Sequence, residues 1–195
     1  YTNIDRLIPI TSTTLIGHSG ELSDWQYLER SIKDTIDQDA IESPGEEKTP
    51  NEIHSLVNRI LHYYRNKGNP LYNSIVVGGI NEETDEIFLA NTDLYGRFFQ
   101  DDIVATGFGM YIALPLLRSH QSNDMSYEDA KKLLEDCQRV LLYRHCRTIN
   151  KFTLSTITKD NGITVSEPYS IPTQWSYARF VEPTKQEAGP APQIH

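Results

Sequence analysis

The stretch Thr14-Leu15-Ile16-Gly17-His18-Ser19-Gly20-Glu21-Leu22-Ser23-Asp24-Trp25 constrains this chain more than any other. It reads as the end of a buried strand, a turn with two glycines, and the start of an amphipathic helix. Gly17 and Gly20 supply the positive φ or close backbone approach that a sharp strand-to-helix turn needs. Ser23 with Gln26 reads as a capping box that satisfies orphan N–H groups at the helix start. Trp25, Leu28, Ile32 and Ile36 then share one helical stripe. That stripe must lie on something apolar, most simply the sheet that holds the preceding strand.

The same two periods recur along the chain. Arg6 to Ile10 is a short strand limited by Pro9, and Asp37 to Thr49 reads as a solvated acidic loop. Thr49, Pro50 and Glu52 restart a helix as N-cap, first helical residue and box partner. Its stripe is Ile53, Leu56, Val57, Ile60, Leu61 and Tyr64, with His54 and His62 expected off it and on the surface. Gly68-Asn69-Pro70 ends it. Tyr72 to Ile80 is a strand whose continuous Ile75-Val76-Val77 suggests cover on both faces, and Glu86 to Leu94 returns antiparallel to it. Arg97 to Gln100 follows the Tyr95-Gly96 turn.

Ile103 to Gly109 repeats the strand, glycine turn and helix design, with Pro115 inside the helix that follows. Ser126 with Asp129 opens the longest helix, Tyr127 to about Arg147, burying Ala130, Leu133, Leu134, Cys137 and Leu141. Phe152 to Thr158, the turn Asp160-Asn161-Gly162 and Ile163 to Ser166 form a hairpin. From Glu167 onward prolines deny the chain a regular element, yet Tyr169, Trp175, Tyr177, Phe180 and Val181 remain. An irregular tail with aromatic residues seeks a surface to lie on. Helix pairs between antiparallel hairpins suggest an α+β, four-layer αββα sandwich. One domain is expected over residues 1–167, with an extended arm over 168–195.

Composition excludes more than it selects. At 195 residues one core is the natural arrangement, and a formal net charge of -9 argues against nucleic acid as partner. No apolar run approaches a membrane span. Two cysteines without paired spacing and no N-x-S/T site point to a reducing compartment. Set in one helix, Cys137 and Cys146 would lie about 13 Å apart along its axis, too far to bridge. The chain opens Tyr1-Thr2-Asn3 without methionine, so a longer parent is expected.

The usual catalytic signatures are absent: no H-E-x-x-H, no P-loop and no paired C-x-x-C. Gly17-His18-Ser19-Gly20 approaches a nucleophile elbow, but Glu21 stands where that motif needs glycine, which leaves Ser19 as a turn residue. Arg139, Arg144 and Arg147 read as a solvated or subunit-facing helix side. No metal and no cofactor is implied.

Several segments nevertheless occur together in a telling order. These are Asp5-Arg6-Leu7-Ile8-Pro9, Gly17 to Asp24, Asn69-Pro70-Leu71-Tyr72-Asn73, Ala105 to Gly109 with Pro115-Leu116-Leu117-Arg118, and Arg139-Val140-Leu141-Leu142-Tyr143-Arg144. With them the chain resembles the proteasome β-type subunits of the N-terminal-nucleophile hydrolase superfamily, over essentially its whole length. The resemblance implies the four-layer sandwich, with the first two strands lying before Tyr1. Active members use an N-terminal threonine whose own α-amine is the general base. An aspartate and a lysine on those first strands support it, with a serine before the third helix and an aspartate and serine after the fourth.

In this sequence the first serine position holds Phe108, the aspartate position His145 and the last serine position Thr148. The resemblance therefore implies a non-catalytic structural subunit with no catalytic residues of its own. Its partners would be other β subunits of the same and the facing ring and α-ring subunits, in cytoplasm and nucleus. Trp175, Tyr177, Phe180 and Val181 would anchor the arm on the facing ring. The alternatives are an active threonine peptidase whose nucleophile precedes Tyr1, and a stand-alone binding module of the same fold.

Overall fold

A computed structural model describes residues 4–82 and 84–175. Five strands form one antiparallel sheet in chain order: β1 (Leu7–Pro9), β2 (Thr14–Gly20), β3 (Asn73–Ile80), β4 (Ile87–Thr92) and β5 (Phe98–Gln100). Between β2 and β3 run α1 (Leu22–Glu42) and α2 (Pro50–Asn66); after β5 come α3 (Gly109–His120) and α4 (Tyr127–Arg144). A separate hairpin, β6 (Ser155–Thr158) and β7 (Gly162–Val165), closes the order. Apart from the strand expected at Ile103, the element order is the one expected, and among the described residues the fold is α+β with antiparallel sheets and four helices.

The main core forms where two periodicities meet. Alternation along β2 and β3 turns Ile16, Ile75 and Val77 to one face, with Ile16 paired opposite Val77. The stripes of α1 (Trp25, Leu28, Ile32) and α2 (Ile53, Leu56, Val57, Leu61) cover that face. Burying each such side chain contributes about 1.5–3 kcal/mol. The opposite face of β3 is half covered. A Cβ built on Gly78 would sit 3.8 Å from Ile157 of β6, so the hairpin crosses there. Tyr169, beyond the hairpin, donates to Glu135 of α4 at 3.1 Å. Helices, sheet, hairpin and α4 thus succeed one another in layers.

Thr49 accepts from Glu52 N–H while the Glu52 carboxylate accepts from Thr49 N–H, and Pro50 opens α2, as the sequence reading requires. Ser126 accepts from Asp129 N–H to open α4 in the same manner.

Elsewhere the structure corrects the reading. β2 does not turn at Gly17; it stays paired to Gly20, where φ reaches +108°. Gly17 serves close packing instead, since a Cβ there would lie 3.3 Å from Leu7. Ser23 does not cap α1. Glu21 holds the N-cap position without a side-chain bond, and the Ser23 hydroxyl donates to the Glu21 carboxylate. α1 also runs on to Glu42 through the expected acidic loop. Nothing in Asp37 to Glu42 breaks a helix already begun, and Pro44-Gly45 is the first real stop. Lys48 pairs with Asp39 at 2.7 Å across that stop.

His54 is buried rather than surface. Ile103 to Ala105 forms no strand; Ile103 packs instead against the cluster between α3 and α4. In α4, Leu142 is buried and Leu134 exposed, and the helix ends at Arg144, which leaves Cys146 outside it. Phe152 belongs to no strand but bridges Tyr169. Among the described residues, no helix is long and apolar enough to cross a membrane.

Candidate functional site

Gly107, with φ +57°, turns the chain into α3. Phe108 follows at the N-cap position, where its side chain offers no acceptor to the helix N–H groups. The cap is instead a tight turn in which Gly109 N–H donates to Thr106 O at 3.1 Å and Met110 N–H to Gly107 O at 3.2 Å. The Phe108 ring lies flat against His145, with centroids 4.2 Å apart and planes 24° from parallel. His145 is the C-cap of α4, and its N–H donates to Leu141 O at 2.8 Å. Its Nδ1 meets the Thr148 hydroxyl at 2.9 Å. Tyr111 stands edge-on to Phe108 at 6.5 Å.

The fold therefore brings Phe108, His145 and Thr148 together. What they can do chemically is limited. A hydroxyl beside an imidazole is half of a nucleophile–base pair, and such a pair needs a third group to orient the base. Among the described residues no carboxylate is hydrogen-bonded to His145, and Phe108 covers one face of its ring. No group of three or more metal-ligating side chains occurs among them either.

Ser19 lies within β2, its hydroxyl donating to Ser74 O of β3 at 3.3 Å. It is a strand residue rather than the turn residue expected, and it is no elbow. His18, its neighbour, points to the other face and stacks on Trp25 at 4.2 Å, with planes 5° apart. Its Nε2 meets Asp5 O at 3.1 Å, and its Nδ1 is buried without a partner. Burial pushes the His18 pKa below the usual value; the bond to Asp5 O and Glu29 on α1 oppose this, and Arg6 assists it. His54 Nε2 meets the Thr92 hydroxyl at 2.8 Å between Phe88 and Phe98, and burial lowers its pKa as well. Both imidazoles are core members. The signal for His54 was present in the spacing of His54, Val57 and Leu61, which is that of one helical stripe.

The start of the expected arm is held on the domain. Ile171 is buried, and Asn150 clamps it by accepting from its N–H at 2.9 Å and donating to its carbonyl at 2.8 Å. Arg139 pairs with Asp136 and donates to Pro172 O, so one member of the basic cluster is used inside the chain. Gln174 N–H donates to the Tyr143 hydroxyl at 2.7 Å, and Trp175 stands edge-on to Tyr143 at 4.9 Å while 66% exposed. Tyr177, Phe180 and Val181 lie outside the described residues.

A family profile described as "Proteasome subunit" matches residues 1–157. The chain is 42% identical over 189 residues to proteasome subunit beta type-4 of Arabidopsis thaliana, covering 97% of this chain and 76% of that protein. It is 36% identical over 183 residues to proteasome subunit beta type-4 of Xenopus laevis, covering 93% and 74%. To proteasome subunit beta type-7 of Saccharomyces cerevisiae it is 31% identical over 192 residues, covering 93% and 72%.

Proposed function

The chain belongs to the proteasome subunit family, and from that premise we propose that it serves the proteasome core as a structural β-type subunit that does not itself cut peptides. It assembles with other proteasome subunits, and protein degradation is the work of the whole complex. The relatives named type-4 and type-7 favour the seventh β position, which is called type-4 in mammals. In that position it would contact β neighbours in its own and the facing ring, and α-ring subunits, in cytoplasm and nucleus.

One observation carries the non-catalytic reading: the Phe108 ring stacked 4.2 Å from His145. By the family resemblance these positions correspond to a serine and an aspartate of the active members. Phenylalanine can neither donate nor accept a proton in acyl transfer, and histidine does not replace the aspartate's fixed negative charge. The two rings lie against each other where the start of α3 meets the end of α4, with Phe108 still 56% exposed. On this reading a ring contact stands where the supporting constellation would be.

Trp175, Tyr177, Phe180 and Val181 would continue outward as the arm. Truncation after Phe180 is then expected to weaken pairing of half-particles, read on native gels. The experiment that tests the central reading is labelling of purified particles with an electrophile selective for N-terminal threonine. Intact-mass analysis is expected to find catalytic sister subunits modified and this chain unmodified. A stoichiometric adduct on this chain would establish the active peptidase instead. A stand-alone module would elute near 22.3 kDa from native material, with no ring at all.

A further inference from the structure

Three tyrosines gather where the start of α1 meets the end of α2. Tyr27 of α1 and Tyr64 of α2 share a hydroxyl–hydroxyl hydrogen bond, with rings edge-on at 5.4 Å and 81°. Tyr63 stands edge-on to Tyr64 at 5.3 Å, and Lys67 Nζ lies 4.4 Å over the Tyr63 ring. Of the 11 tyrosines in the chain, these make the only Tyr–Tyr ring contacts among the described residues. Tyr27 is 46% and Tyr63 50% exposed, whereas Tyr64 packs partly against the main core. Small oxidants can therefore reach the cluster, and the core fixes one of its rings.

We propose that Tyr27 and Tyr64 form an oxidative cross-linking site, at which an activated peroxide joins α1 to α2 through a dityrosine bond. Each phenol gives up one electron and its hydroxyl proton. The two phenoxyl radicals couple through one carbon–carbon bond between ring positions ortho to the oxygens. The ortho hydrogens then migrate to the oxygens as both rings regain aromaticity. The net loss is two electrons and two protons, and hydrogen peroxide takes them up to give two waters.

Two features favour this pair over other surface tyrosines. Phenoxyl radicals must find a second ring to couple, and this fold holds one ring edge-on to another within the same molecule. The shared hydrogen bond also gives the departing proton a path. With Tyr64 donating, that bond lowers the pKa of Tyr27 and raises that of Tyr64. No disulfide could do the same work, because neither helix carries a cysteine; Cys137 is buried in α4 and Cys146 follows it.

The test treats the full chain, free and in the assembled particle, with a haem peroxidase and limiting hydrogen peroxide. The expected product has the monomer mass less two hydrogens, dityrosine fluorescence, and a digest peptide joining the segments that contain Tyr27 and Tyr64. Closing that loop should raise the melting temperature by about 5 °C. Tyr27→Phe should abolish the joined peptide at little cost to the unoxidised melting temperature, and Tyr64→Phe offers a second removal. Tyr111→Phe, at a more exposed tyrosine whose ring meets Phe108 and no tyrosine, should leave it unchanged. A joined peptide that persists in Tyr27→Phe would overturn the proposal. So would products that are only interchain dimers, or consumption of peroxide without dityrosine.

Discussion

The two helix pairs of this molecule are built to different standards. Among the described residues, eleven buried apolar residues lie between the five-stranded sheet and α1–α2, and three lie between α3 and α4, ringed by half-buried ones. By area burial the first half holds most of the folding energy. The second leaves Phe108, Met110, Tyr111 and Leu134 facing outward. A half that is complete by itself holds the fold, and a half with apolar side chains left over has surface to offer neighbours. Phe108, His145 and Thr148 lie in the second half.

The contrast can be broken most directly by truncating one side chain in each half. Leu28→Ala removes a fully buried side chain from the main core and is expected to cost about 3–4 kcal/mol in urea unfolding. Leu133→Ala, half-buried beside Cys137, should cost about 1 kcal/mol. Equal losses would show that the two cores carry equal weight.

Acid sharpens the same comparison. His18 and His54 both sit in the larger core with pKa values held below 6.5 by burial. Below that value the unfolded chain binds more protons than the folded one, so acid favours unfolding. Stability should be full above about pH 6.5, fall as the pH drops through the window beneath it, and level off below the folded pKa values. Arg6 and Glu29 face His18 with opposite effects, so burial sets the sign. Hydrogen exchange at falling pH should loosen α1 and α2 before α4, and loss of α4 protection first would contradict this. His18→Phe, which keeps the stack on Trp25, should flatten part of the slope.

The smallest effect concerns the stack itself. A double-mutant cycle with Phe108→Ala and His145→Ala should give a coupling of about 0.5–1 kcal/mol. No coupling would mean that the rings are neighbours without being partners.

The features legible in the sequence are those set by residues close together along it. Thr49, Pro50 and Glu52 specify the start of α2 within four positions, and the stripe Trp25, Leu28, Ile32 specifies which side of α1 is buried. Gly17 was ambiguous because its reason is Leu7, on a strand whose pairing no local pattern announces. The polar tail of α1 reads as loop because composition alone favours solvation, whereas a helix already nucleated extends until Pro44-Gly45 stops it. His54 is expected on the surface because it is placed off the stripe, yet the spacing His54, Val57, Leu61 is that of a stripe and Thr92 lies across the core. At the candidate site, resemblance supplied the positions Phe108, His145 and Thr148. Their mutual contact depends on how α3 docks against α4, which periodicity does not encode.

The central claim, that Phe108 and His145 are structure and not machinery, is tested most directly in particles that carry Phe108→Ala with His145→Ala. Peptide hydrolysis per assembled particle is the quantity to measure, against every substrate class the particle cleaves. The account predicts unchanged hydrolysis per particle, with a lower yield of assembled particles. Loss of one class of cleavage at normal assembly would contradict it.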